Sequence, residues 1–150
     1  MFWFAIEHGD HIFGHKQIVI LHSKKISNSK KTRALGPKSI TLTRLIMCLQ
    51  ITHGVRLQMT DIDYRNAARF ASYFGFSNTV RYCERQLIEM KPESKTDHFE
   101  VAVKNNMRFY LAHQLKRIES KEQLVDILRK LDVEKMSSES MKAFVAKLFS

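Results

Sequence analysis

The sequence predicts an α-rich α+β fold: a small N-terminal sheet packed on a helical cluster, followed by a C-terminal helical extension on the same core. Three observations predict it. The first forty residues hold short aromatic and β-branched runs broken by turn residues, the mark of strands and hairpins. From Leu42 onward apolar residues recur at helical spacing, and beyond Asp61 no strand pattern interrupts them. Capping and stop residues punctuate those stripes into five or six helices of about 8–13 residues. Pro92, which forbids helix continuation, separates a first domain at 1–91 from the extension at 92–150.

Phe2-Trp3-Phe4-Ala5-Ile6 reads as a strand, His8-Gly9-Asp10 as turn chemistry and Ile12-Phe13 as the returning strand of a hairpin. Gln17-Ile18-Val19-Ile20-Leu21 is ambiguous, because a short β-branched run fits either a strand or a buried helix. Ser27 to Arg33 and Gly36-Pro37 read as exposed loop, since Ser and Asn compete with regular backbone pairing and Pro removes a donor. Leu42, Leu45, Ile46 and Leu49 then form the buried stripe of a helix that His53-Gly54 ends. Ala67, Ala68, Phe70, Ala71 and Phe74 mark the next helix, stopped by Gly75. Asn78 is placed to cap the helix carrying Val80, Cys83, Leu87 and Ile88. Asp97-x-x-Glu100 and Ser120-x-x-Gln123 resemble capping boxes. Leu111, Leu115 and Ile118 mark one further helix, Leu124, Ile127, Leu128 and Leu131 another, and Met141, Phe144, Val145 and Leu148 the last.

Composition narrows the function classes. The 150 residues are 44% hydrophobic, enough for a globular core without disulfides or a metal. Two cysteines, Cys48 and Cys83, point to a reducing compartment. The apolar runs fall far short of the ~20 residues that span a bilayer, and no basic region precedes the first of them as in a signal peptide. An intracellular protein, cytoplasmic and/or nuclear and without membrane attachment, is expected.

No glycine-rich phosphate loop is present, and nothing names a reaction. His8, His11, His15 and His22 lie close in sequence, but their intervals match neither one helix face nor the paired spacing of structural zinc sites. Cys83 and His113 carry nucleophile and base chemistry, yet Cys83 sits on an apolar helix stripe. The protein is therefore read as not an enzyme, with no catalytic, cofactor or metal site.

The formal charge of +10 is unevenly placed. No acidic residue lies between His11 and Thr60, a stretch with nine cations, whereas 61–150 mixes both signs. Lys24, Lys25, Lys30, Lys31 and Arg33 could neutralise phosphates. No aromatic residue is interleaved among them to stack on bases, so a solvated loop is the simpler reading.

Several short patterns together resemble the BTB/POZ family, in the branch related to MATH-BTB proteins. His15-Lys16-x-x-Val19-x-x-x-x-Ser23 is similar to the segment after that family's first hairpin, with one extra residue before the serine. Leu45-Ile46-x-Cys48-Leu49-Gln50-Ile51-x-His53-Gly54 resembles its leucine-rich helix and tight turn. Ala71-x-x-Phe74-Gly75-Phe76 followed by Val80-x-x-Cys83-Glu84-x-x-Leu87-Ile88 resembles its helical pair and is the most specific block. Leu131 to Ser137 looks like part of the helical extension of that branch. The N-terminal half departs from the pattern: a basic, acid-free stretch stands where an acidic or amphipathic helix and strand are usual, and no MATH domain is present.

The resemblance implies a BTB/POZ-like domain acting as a non-catalytic adaptor between a cullin-based ubiquitin ligase scaffold and substrates. It implies a partner surface around Met47 to Arg56, with Met47, Ile51, Thr52 and Val55 as the binding candidates. The chain opens at the hairpin, so a homodimer would lack the family's usual dimer element. The alternatives are a basic nucleic-acid-associated protein that uses the 24–38 loop, the less favoured partner class, or a degenerate copy without partner binding.

Overall fold

A strand pair opens the chain: β1 (Phe2–Ala5) runs antiparallel to β2 (His11–Gly14), with Phe4 opposite Ile12. The computed structural model describes residues 2–5, 11–27, 33–35, 41–90 and 98–150. The other edge of β1 pairs in parallel with β3 (Arg33–Leu35), giving the order β2-β1-β3. Arg33 is thus in a strand and not in a loop, because the edge of β1 offers backbone partners that outweigh local propensity. The expected turn at His8-Gly9-Asp10, the capping box at Asp97 and the loop positions 28–32 and 36–37 lie outside the described residues.

The ambiguous run after the hairpin is helical: α1 spans Lys16–His22. Val19 is fully buried while Leu21 is exposed, and this one-sided burial overrides the β preference of the branched side chains. At Ser23 the backbone turns extended (φ −130°, ψ 102°), and a short α2 (Lys24–Ser27) follows. The 24–38 stretch therefore begins as a helix rather than a loop.

Ser23 is buried, and its hydroxyl explains the break. It accepts the Ile26 N–H at 3.0 Å and donates to the Phe74 carbonyl at 2.6 Å. A backbone bridge pairs Ser23 with Phe76. Phe74 ends α4 (Asp61–Phe74), which starts at Thr60, whose hydroxyl accepts from the Asp63 N–H at 3.2 Å. Gly75 takes the left-handed conformation (φ +78°) that lets the last carbonyls of α4 bond back. A Cβ there would come within 3.1 Å of the Lys25 Cβ and 3.3 Å of the Ser23 Oγ, so the corner also needs the missing side chain. Phe4 packs edge-on to Phe74, with ring centroids 5.2 Å apart, which seats β1 on the same corner.

Two further helices complete this part. Helix α3 (Leu42–Thr52) is capped by Thr41 and buries Leu45, Cys48, Leu49, Ile51 and Thr52. The expected stripe is rotated: Leu42 and Ile46 face outward, because the small Cys48 and Thr52 take the inner positions. Helix α5 (Ser77–Glu89) starts one residue before Asn78, with Phe76 supplying the first carbonyl acceptor to Val80, so Asn78 is exposed in the first turn and is not the cap.

The chain divides into two units, Met1–Cys83 and Glu84–Ser150. The second contains α6 (His98–Lys104), α7 (Arg108–Lys116), α8 (Lys121–Lys130), a 3-10 turn at Val133–Lys135 and α9 (Ser138–Leu148). Its core is built around Tyr110, Leu111, Leu124 and Phe144. Helix α7 follows an apolar N-cap, Met107, that has no hydroxyl or carboxylate to offer. Buried Glu84 supplies one instead, accepting the Phe109 and Tyr110 N–H groups at 2.9 and 3.2 Å. Ser120 and Ser137 cap α8 and α9 locally, and Gln123 bonds back to the Glu119 N–H. The protein as a whole is mostly helical, and no helix among the described residues is long and apolar enough to cross a membrane.

Replacing Ser23 by Ala removes both of its side-chain hydrogen bonds and leaves a buried carbonyl without that donor. The expected loss is about 1–3 kcal/mol, read as a lower urea midpoint at unchanged m-value. Asn78→Ala is expected to shift stability by less than about 0.5 kcal/mol. A larger loss would restore Asn78 as the cap of α5.

Candidate functional site

Helix α3 and the turn after it carry the residues implied as a partner surface, and the turn is held by backbone chemistry. His53 donates its N–H to the Leu49 carbonyl, Gly54 to Ile51 and Val55 to Gln50, each at 2.9 Å. Gly54 sits at φ +91° with open space where a Cβ would stand, so conformation alone makes glycine the right residue there. The His53 Nδ1 lies 2.7 Å from the Leu49 carbonyl, which can only accept, so that nitrogen carries the proton. The His15 ring lies beside it, with centroids 6.5 Å apart.

The segment from Val55 to Thr60 is irregular and is fixed by side chains from α4 and α5. The Tyr64 hydroxyl donates to the Leu57 carbonyl at 2.7 Å. Tyr82 packs edge-on to Tyr64, with centroids 6.2 Å apart, and the Arg56 guanidinium lies 4.7 Å from the Tyr82 centroid. Arg56 is thereby held at the surface next to Val55. Asp61, where α4 begins, is paired with Arg65 at 2.8 Å, with both side chains largely buried.

The four implied binding residues separate into two pairs. Val55 is 44% exposed and Met47 is half-buried on the outer side of α3. Ile51 and Thr52 are 3% and 4% exposed and belong to the core. Thr52 donates to the Cys48 carbonyl at 2.8 Å and receives the Thr79 hydroxyl at 2.8 Å, so its polar group is fully committed inside. Neither Ile51 nor Thr52 can act as a surface anchor. The exposed residues that accompany Met47 and Val55 are Leu42 and Ile46, at 37% and 40%. The signal for them lay in the helix phase: with Cys48 and Thr52 counted as inner positions, 42, 46 and 50 fall opposite the core.

The other candidates are located as follows. Lys25 points its Nζ to the Tyr73 carbonyl at 2.7 Å and lies 4.7 Å from the Tyr73 ring, so it is engaged within the fold. Lys24 lies on α2 and Arg33 on β3, while Lys30 and Lys31 lie outside the described residues. Burial, with Cys83 nearby, pushes the Cys48 thiol far above its ordinary range, and both cysteines are buried and outside any disulfide. A thiol so raised is a small hydrophobe rather than a nucleophile. Among the described residues no three His, Cys, Asp or Glu side chains converge as a metal set.

No protein-family model, curated protein or solved structure matches the chain.

Burial, with Tyr82 beside it, pushes the Tyr64 phenol up to about 12, against about 10 for an unfolded tyrosine. A phenol that stays protonated longer in the folded state favours folding fully below pH ~10 and loses that contribution as pH rises through ~12. Tyr64→Phe should therefore be less stable by about 1 kcal/mol at neutral pH, through loss of the bond to Leu57. Its stability should also fall less than that of the parent between pH ~9 and ~12, measured by urea titration. Parallel pH profiles for the two proteins would refute the assignment.

Proposed function

We propose that the protein is a non-catalytic interaction module, a BTB/POZ-type adaptor that links a cullin-based ubiquitin ligase scaffold to substrates. One observation carries the reading. On the helix and tight turn that the resemblance implies for scaffold binding, Leu42, Ile46 and Val55 are exposed apolar side chains on a rigidly held frame. Interfaces draw most of their energy from a few such anchors surrounded by polar residues, and the more fixed the anchors, the less ordering entropy binding must overcome.

The motif residues behind the resemblance add support, because each has a physical task. Ser23 ties the break after α1 to the end of α4, Gly54 closes the α3 turn and Gly75 ends α4. Cys83 fills the core, and Glu84 caps α7.

The test is capture of a purified cullin N-terminal domain by the full chain at micromolar protein. Ile46→Asp and Val55→Asp are each expected to weaken capture at least about tenfold while leaving the melting transition unchanged, because both side chains already face solvent. Failure of the unmodified chain to capture the domain would overturn the adaptor reading.

A further inference from the structure

We infer that the face formed by α3 and its turn receives an acidic amphipathic helix of a partner protein. This rests on the adaptor reading for the location of the surface and adds the chemistry of what occupies it. Leu42 and Ile46 lie one helical turn apart on the outer side of α3, with Met47 alongside. The Val55 N–H is bonded to the Gln50 carbonyl, and Gln50 is one turn beyond Ile46. Leu42, Ile46 and, past the exposed Gln50, Val55 thus give spaced apolar positions along the helix and its turn, which suit the side chains of a second helix at i, i+3, i+4 and i+7. An added strand would need an open backbone edge, and the backbone of α3 is internally bonded.

The chain segment that forms that strip carries one sign of charge. Between Thr41 and Thr60 the sequence has no Asp or Glu, while Arg44 flanks Met47 and Arg56 stands beside Val55. Arg56 stays in place through its contact with the Tyr82 ring, which leaves its guanidinium at the surface. The carboxylates next along the chain open α4, where Asp61 is paired with Arg65. A partner helix with carboxylates flanking its apolar stripe meets Arg44 and Arg56, which make no ion pair among the described residues, whereas one flanked by lysines is repelled. Nucleic acid fits less well, because the strip between the cations is apolar and the Tyr82 face is covered by Arg56.

The test uses the full chain and two fluorescent synthetic peptides of about five helical turns. Both carry Leu at i, i+3, i+4 and i+7; one has Glu at the flanking positions and the other Lys. The Glu peptide is expected to bind about tenfold tighter or more at low salt, with the gap closing as added salt screens the charges. The double variant Arg44→Glu/Arg56→Glu should transfer the preference to the Lys peptide, and the milder Arg44→Gln should narrow the gap. Equal affinity for the two peptides, or a preference that survives charge reversal, overturns the inference. So does displacement of the Glu peptide by phosphatidylserine–phosphatidylcholine vesicles, which would mark the face as a membrane surface. The two readings fail separately. A chain that binds the Glu peptide but no cullin domain overturns the adaptor proposal alone, and cullin capture indifferent to Arg44→Glu/Arg56→Glu overturns this inference alone.

Discussion

The hydroxyl of Ser23 joins pieces of backbone far apart in sequence. It accepts the Ile26 N–H of α2 and donates to the Phe74 carbonyl at the end of α4. Both groups are buried, and each would cost about 1–3 kcal/mol if left unpaired. The consequences extend along the Met1–Cys83 unit. With the end of α4 fixed, Gly75 and Phe76 set where α5 begins, and the start of α5 decides that Thr79 meets Thr52 and that Tyr82 meets Tyr64 and Arg56. The segment after the α3 turn is fixed by those contacts, so the place of Arg56 beside Val55 depends on where α5 begins.

Much of this fold was legible wherever the deciding chemistry is local. Gly75 and Gly54 announced the ends of α4 and α3, Ser120 and Gln123 the start of α8, and Ala67, Ala68, Phe70, Ala71 and Phe74 of α4 are all buried. What was not legible depends on partners distant in sequence. Arg33 reads as loop by its neighbours, but pairing with Trp3 makes it a strand. The β-branched run at 18–20 reads as strand or helix until the burial of Val19 decides it.

The binding candidates show the same division. A hydrophobic stripe counts large apolar residues, so it placed Leu42 and Ile46 inside and gave no weight to Cys48 and Thr52. The structure inverts that choice because a small thiol and a doubly bonded hydroxyl pack more closely than a leucine would. The position of the α3 surface along the chain was therefore readable, but its facing side was not. Glu84 is a parallel case: a carboxylate in an otherwise apolar helix pattern gives no hint that it will cap α7, because the donors it serves lie 25 and 26 residues away.

The charge excess takes on a different meaning once the side chains are placed. Spread over an open loop, the cations of the first sixty residues would attract any polyanion without discrimination. Lys25 is held at the surface against the Tyr73 carbonyl and ring, and Arg56 is laid against Tyr82, so each has a partner of its own. A fixed cation at the rim of an apolar strip adds little raw affinity, because its gain competes with hydration. It acts instead on which partners approach and in which orientation they settle. On the proposed reading, the apolar side chains supply the energy of contact, and Arg44 and Arg56 beside them select what that energy is applied to.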